Sequence, residues 1–85
     1  MWFGYILYSG TLDKFYTGVT TDVQRRLLEH NTSKKGAKFT KAGRPWHLVY
    51  TLPMPEGQSQ ALRWEARTKR YSHAEKLALV QTNVT

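Results

Sequence analysis

No cysteine occurs among the 85 residues, which excludes disulfide cross-links and thiolate metal sites alike. The three histidines, His30, His47 and His73, lack the spacing of a metal-ligand set. Zinc is therefore not expected, and any divalent ion would be a hard one held by carboxylate oxygen and water, as magnesium is. Long hydrophobic runs are also missing. The opening "MWFGYILY" has neither a basic leader nor the apolar length of a signal peptide or membrane span, so the chain reads as a soluble, cytoplasmic protein. There is no internal repeat and no room for a second core, so residues 1–80 read as a single domain and 81–85 as a frayed tail.

Acidic residues are scarce: six Asp and Glu stand against thirteen Lys and Arg, for a formal charge of +7. The excess is localised. Residues 23–44 hold seven basic residues (Arg25, Arg26, Lys34, Lys35, Lys38, Lys41 and Arg44) against Glu29 alone, a net of +6, whereas 1–22 total −1 and 45–85 total +2. One helix-plus-loop segment thus carries the charge expected of a surface that meets polyanions, with a merely solvated face as the plain alternative. Aromatics are plentiful, with three Trp, five Tyr and three Phe. They supply much of the apolar area that so short a chain can bury.

Trp2 to Ser9 and Phe15 to Thr20 are rich in aromatic and β-branched residues, and "SGTLDK" between them carries Gly10 and Asp13. This predicts a β-hairpin with a longer loop. Thr21 followed by Gln24 is a capping-box signature opening a helix over Asp22 to about Asn31. "TSKKGAKFTKAGRP" reads as a mobile basic loop with a short helical turn around Ala37 to Lys41. "WHLVYTL" predicts a third strand, ended by Pro53 and Pro55, and Gln58 to about Arg70 predicts a second long helix. Ser72 with Glu75 marks a second capping box, opening a last helix to about Val80. The order β-β-α-β-α-α implies an α+β fold, a small, mostly antiparallel three-stranded sheet flanked by helices.

Three sets of residues stand out as candidates. On the first helix, a 100° step places Val23 and Leu27 at the centre of the apolar stripe, with Arg26 and His30 flanking it and Arg25 and Glu29 turned toward water. An arginine there is either a stem snorkelling over the core or a functional cation. On the second long helix Ala61, Leu62 and Ala66 mark a buried stripe, and Glu65 falls within it. A carboxylate in that place must be paired, with Lys69 or Arg26 for instance, or metal-bound or protonated. Tyr5 and Tyr16 lie on the two hairpin strands, as core packing, as convergent hydroxyls or as platforms for nucleic-acid bases.

Taken together, "FGYIL", "YTGVTTDVQRRLLEHN", "KKGAKFTKAGRPWHLVY" and "ALRWEARTKRYS" resemble the GIY-YIG nuclease domain over nearly the whole chain. The likeness is strongest to its small stand-alone bacterial members, of the YhbQ and YazA kind. Phe3-Gly4-Tyr5 occupies the Gly-Ile-Tyr positions, so the visible "GYI" is a near-anagram; it also permits a register in which Tyr8 sits deeper. The second half of the motif is Tyr16-Thr17-Gly18, with Thr17 replacing the middle Ile. The resemblance implies catalytic roles for Tyr5, Tyr16, Arg26 and His30, a metal ligand at Glu65 and a structural role for Gly18. It further implies one divalent cation, Mg2+ or Mn2+, and DNA as substrate, branched or damaged, in repair or processing. In that picture Glu65 would hold a metal that stabilises the departing oxygen, Arg26 would grip the phosphate, and Tyr5 or Tyr16 would deprotonate water once a nearby cation had lowered its pKa. Lys34, Lys35, Lys38, Lys41 and Arg44 would grip the DNA backbone.

Two other readings remain open: a nucleic-acid-binding module that keeps the fold without cleaving, and a partner-binding domain whose charge serves solubility. Larger family members attach separate DNA-binding domains, so weak affinity, or a protein partner supplying specificity, is expected here.

Overall fold

A computed structural model describes residues 1–32 and 38–82. The elements are β1 (Trp2–Ser9), β2 (Lys14–Thr20), α1 (Val23–Thr32), α2 (Lys38–Ala42), β3 (Trp46–Met54), α3 (Gln58–Thr68) and α4 (His73–Thr82). The three strands form one antiparallel sheet in the order β2-β1-β3, and the α+β order read from the sequence is the one observed.

The two-residue period of β1 sorts its side chains onto opposite faces. Phe3, Tyr5 and Leu7 share one face with Tyr16, Gly18 and Leu48, their partners or diagonal neighbours on the flanking strands. Against it α1 lays Val23 and Leu27, which pack on the buried cluster of Tyr5, Leu7 and Trp46. Burying a side chain such as Leu7, which has no exposed surface, contributes about 1.5–3 kcal/mol, so this cluster is what holds α1 in place. The opposite face presents Gly4, Ile6 and Tyr50 to α3. There the Trp64 ring stacks on Tyr50 at 6.2 Å between centroids and lies so close over Gly4 that a Cβ at that position would run into it.

Several sequence expectations need correcting. The cap of α1 is Asp22 and not Thr21: Asp22 Oδ1 accepts from the Arg25 N–H at 3.0 Å. Thr20 Oγ1 in turn accepts from the Asp22 N–H at 3.0 Å, which turns β2 directly into the helix. β3 does not stop at Pro53 but continues through it to Met54. It is an edge strand, where a residue without an N–H is tolerated, and it absorbs one extra residue opposite Ile6/Leu7 as a bulge. The buried side of α3 is formed by Ala61 and Thr68 with half-buried Trp64 and Glu65, whereas Leu62 and Ala66 are exposed. The second capping box is present as expected: the Glu75 N–H donates to Ser72 Oγ at 3.1 Å, and the Ser72 N–H to Glu75 Oε1 at 2.9 Å.

Thr17, which stands where the family motif has Ile, points toward the α3 side opposite Ile6. It is 3% exposed, and among the described residues its hydroxyl has no hydrogen-bond partner. A buried unpaired hydroxyl costs about 1–3 kcal/mol. Thr17→Val, which keeps the shape and removes the hydroxyl, is expected to stabilise the fold by roughly 1 kcal/mol. Urea unfolding checks this through a raised midpoint at unchanged slope; a lowered midpoint would mean that the hydroxyl is satisfied.

Candidate active site

Burial of Tyr5 is the starting point of the site. The ring, 1% exposed, lies over Gly18 on the neighbouring strand, where any Cβ would collide with its hydroxyl end. Gly18 is therefore required for a close approach rather than for a turn. The Tyr5 hydroxyl meets His30 Nε2 at 3.1 Å. Tyr16 sits diagonally from Tyr5 across the strand pair, with ring centroids 6.5 Å apart, and its ring meets the His30 imidazole edge-on at 4.5 Å. The two tyrosines are thus neighbours on one face, but the directly opposed pairs are Tyr5 with Gly18 and Leu7 with Tyr16. Tyr8 belongs to the other face, where its hydroxyl donates to Asp13 Oδ1 at 2.6 Å.

α1 positions two of the candidates because its apolar stripe is seated in the core. Arg26 and His30, one turn apart on the flank of that stripe, are carried to the Tyr5 side. His30 is 5% exposed. Burial pushes its pKa below the ordinary value, and the Arg26 and Arg44 cations push the same way, against an opposing Glu29. Its imidazole is neutral at pH 7. The Tyr5 phenol is shifted upward, chiefly by burial, with the nearby Tyr16 and Glu65 adding to the rise and Arg26 opposing it. The expectation that a neighbouring Arg26 brings the phenol down is therefore reversed in sign, since desolvation outweighs the cation. The Tyr5 hydroxyl and His30 Nε2 thus share a hydrogen bond between two neutral groups, its direction set by the imidazole tautomer.

Arg26 does not stand alone. Its Nη1 donates to Glu29 Oε1 at 3.0 Å, so Glu29 turns to its helical neighbour and not simply to water. The signal was in the sequence as an i, i+3 pair of opposite charge. Glu65 arrives from α3, half-buried, with Oε2 3.6 Å from the Lys69 ammonium, and its charge bears on the Tyr5 phenol. Tyr5, Tyr16, Arg26 and His30, drawn from β1, β2 and α1, are thereby gathered at one hydroxyl, with Glu65 of α3 near enough for its charge to be felt there.

Of the basic residues, Lys41 is exposed on α2. Arg44 is half-buried, and its Nε donates to the His30 carbonyl at 2.7 Å, tying the loop to the last turn of α1. Lys34 and Lys35 lie outside the described residues, as does the side chain of Lys38. Asn31 has a part that the sequence did not signal, because its partner is 15 residues away. Its amide accepts from the Trp46 N–H at 2.7 Å and donates to the Trp46 carbonyl at 3.0 Å, fixing α1 to the start of β3.

Among the described residues no three of His, Asp or Glu converge on a common point. The one acid in the cluster, Glu65, fits a magnesium-like ion, which keeps most of its water and takes one or two carboxylates plus substrate oxygens.

The model of the GIY-YIG catalytic domain matches residues 1–78. The chain belongs to the GIY-YIG family. Among its relatives, a UPF0213 protein of Syntrophus aciditrophicus is 48% identical over 80% of this chain and 77% of its own length. Another, from Desulfotalea psychrophila, is 42% identical over 96% and 73%. A solution NMR structure of a UPF0213 protein from Bacillus halodurans, 41% identical, superposes with a TM-score of 0.59 over 96% of this chain and 85% of that one. Family membership places the chain in the nuclease superfamily; the names of these small stand-alone relatives state no activity.

Because the folded state holds His30 with a depressed pKa, it binds fewer protons than the unfolded chain below the ordinary histidine value. This part of the stability is complete above that value and is lost as pH falls through the folded one. Unfolding free energies from urea titrations between about pH 7 and pH 5 are expected to decline with acidity. His30→Gln should flatten the decline; an equal slope in wild type and variant would count against the buried neutral imidazole.

Proposed function

We propose that the protein is an endonuclease that hydrolyses phosphodiester bonds in DNA with the help of one divalent cation, Mg2+ or Mn2+. The observation that carries this reading is that three elements bring a neutral imidazole and a guanidinium to the Tyr5 phenol, with a carboxylate close enough for its charge to be felt there. Those are the groups that phosphate-ester hydrolysis requires: a proton acceptor, an anion clamp and a metal ligand.

The residues divide the work as follows. A phenol with a raised pKa is almost never ionised at neutral pH, so Tyr5 acts better as a relay than as a free phenolate. Water bound at its oxygen transfers a proton to it while the phenol's own proton passes to His30 Nε2. The resulting imidazolium is tolerable only in passing, since burial and two arginines disfavour it. Arg26 donates to the non-bridging phosphate oxygens as negative charge grows on them. Tyr16 packs against the imidazole and keeps it oriented toward Tyr5. Glu65 would hold the cation, which when bound supplies Lewis-acid stabilisation of the departing oxygen. Lys41, together with Lys34, Lys35, Lys38 and Arg44, would bind the backbone on either side of the cut.

A second reading, a DNA-binding module that does not cleave, draws on one observation: Arg26 and Glu65 are each paired within their own helix. Partly exposed pairs of this kind contribute about 0.2–1 kcal/mol. A doubly coordinated phosphate or a divalent cation competes with them easily, so they do not close the site.

Supercoiled plasmid nicking with Mg2+, Mn2+ or EDTA tests the proposal. Wild type should nick only with metal, and Glu65→Ala and Arg26→Ala should each slow nicking by about 100-fold or more. Wild type that binds plasmid and leaves it uncut in both metals, or variants that cut as fast as wild type, would sink the reading.

A further inference from the structure

Among the described residues, Arg25, Arg26, Lys41 and Arg44 lie with α1 and α2, on the Tyr5 side of the sheet. A second cationic surface lies on the other side. Because Ala61, Trp64 and Thr68 turn α3 inward, Arg63, Arg67 and Arg70 fall on its outer flank and at its end, all exposed. The three span about 10 Å along the helix direction at 1.5 Å per residue, close to the axial run of four successive phosphates of one DNA strand, three steps of about 3.4 Å. Ala66, small and exposed, stands among them and leaves room for close approach.

None of the three arginines has an ion pair among the described residues. The pairs are Arg26 with Glu29, Lys69 with Glu65 and His73 with Asp13. Arginines at i and i+4 without an intervening acid repel one another and cost the helix stability. The helix dipole offsets this for Arg67 and Arg70 near the C-terminal end, but not for Arg63 in the middle. A polyanion on this flank would offset it for all three.

At 100° per residue Arg63 and Arg67 lie about 160° around α3 from Glu65, so the flank faces away from the side of the helix that joins the catalytic cluster, and the molecule measures 32 × 27 × 25 Å. A straight duplex lying on one side of a body that thick does not reach the other.

We propose that the outer flank of α3, through Arg63, Arg67 and Arg70, is a second DNA-backbone surface, so that one molecule holds two DNA segments at once. The inference rests on the nuclease reading only in taking DNA as the polyanion. Two arms of a branched substrate, or two separate duplexes, present the same phosphate chemistry to it.

The test uses two short duplexes, one carrying a donor dye and the other an acceptor, mixed with the full chain in EDTA so that nothing is cut. Energy transfer between duplexes should rise with protein and fall again at protein excess, when each duplex occupies its own molecule. In R63Q/R67Q/R70Q, transfer should drop about fivefold or more while single-duplex affinity, read by anisotropy, stays within about threefold. K34Q/K35Q/K41Q should do the reverse, losing about tenfold or more in single-duplex affinity. Lysine in place of the three arginines should restore transfer, which separates loss of charge from loss of fold. Wild type that binds one duplex without transfer overturns the proposal. So does an arginine variant that still bridges, or one that loses as much single-duplex affinity as the loop variant. Cleavage is not read in this assay, so its failure leaves the nuclease reading standing, and plasmid nicking decides that reading separately.

Discussion

The seat of the Tyr5 ring on the bare backbone of Gly18 governs how the rest of this molecule is arranged. With no side chain at Gly18, an aromatic ring lies flat against the neighbouring strand and carries its hydroxyl to the imidazole of His30. That hydrogen bond is possible only if α1 is seated at the right height and rotation. Val23 and Leu27 in the core set the rotation. The Asn31 amide, clipped twice to the Trp46 backbone, and the Arg44 bond to the His30 carbonyl set the height. A catalytic constellation needs its supporting shell locked by packing and hydrogen bonds of this kind, and here the same contacts also make the hydrophobic core.

The price of that arrangement is electrostatic. Burial raises the phenol's pKa and lowers the imidazole's, so both partners rest neutral and neither alone is a strong base or acid at pH 7. The neutral pair is poised for proton passage rather than for standing charge. The charged groups, Arg26 and Glu65, stay at the margin, where water and their helical neighbours keep them solvated at little cost. Placing neutral groups inside and charged ones at the rim lets an 85-residue chain keep this polar cluster without the several-kcal/mol penalty of buried, unpaired ions.

The division of the sheet into two faces carries the same logic outward. One face has Tyr5, Tyr16 and α1; the other has Gly4, Trp64 and the arginine flank of α3. A one-residue slip of β1 against β2 would exchange them. Gly4 and Gly18 resist such a slip from opposite sides, each by receiving a ring, Trp64 and Tyr5 respectively, that no other residue could accommodate.

By itself the sequence determined the elements and their order, because period-two aromatic strands, the Ser72–Glu75 box and the apolar spacing of Val23 and Leu27 are local signals. It also singled out Arg26 over Arg25 and Glu65 among the acids, since a helical wheel needs only spacing. What it left undecided depended on partners distant along the chain. Thr21 read as the cap of α1 until the turn out of β2 showed Thr20 engaging Asp22, whose carboxylate caps the helix instead. Pro53 read as a stop until β3 proved to be an edge. Leu62 and Ala66 read as core because a helix alone does not reveal which side meets the sheet. The sign of the Tyr5 shift, too, was a matter of tertiary structure: whether a cation beside a phenol lowers its pKa depends on how much water the fold has removed, and that is set by Gly18, α1 and Trp46 acting together.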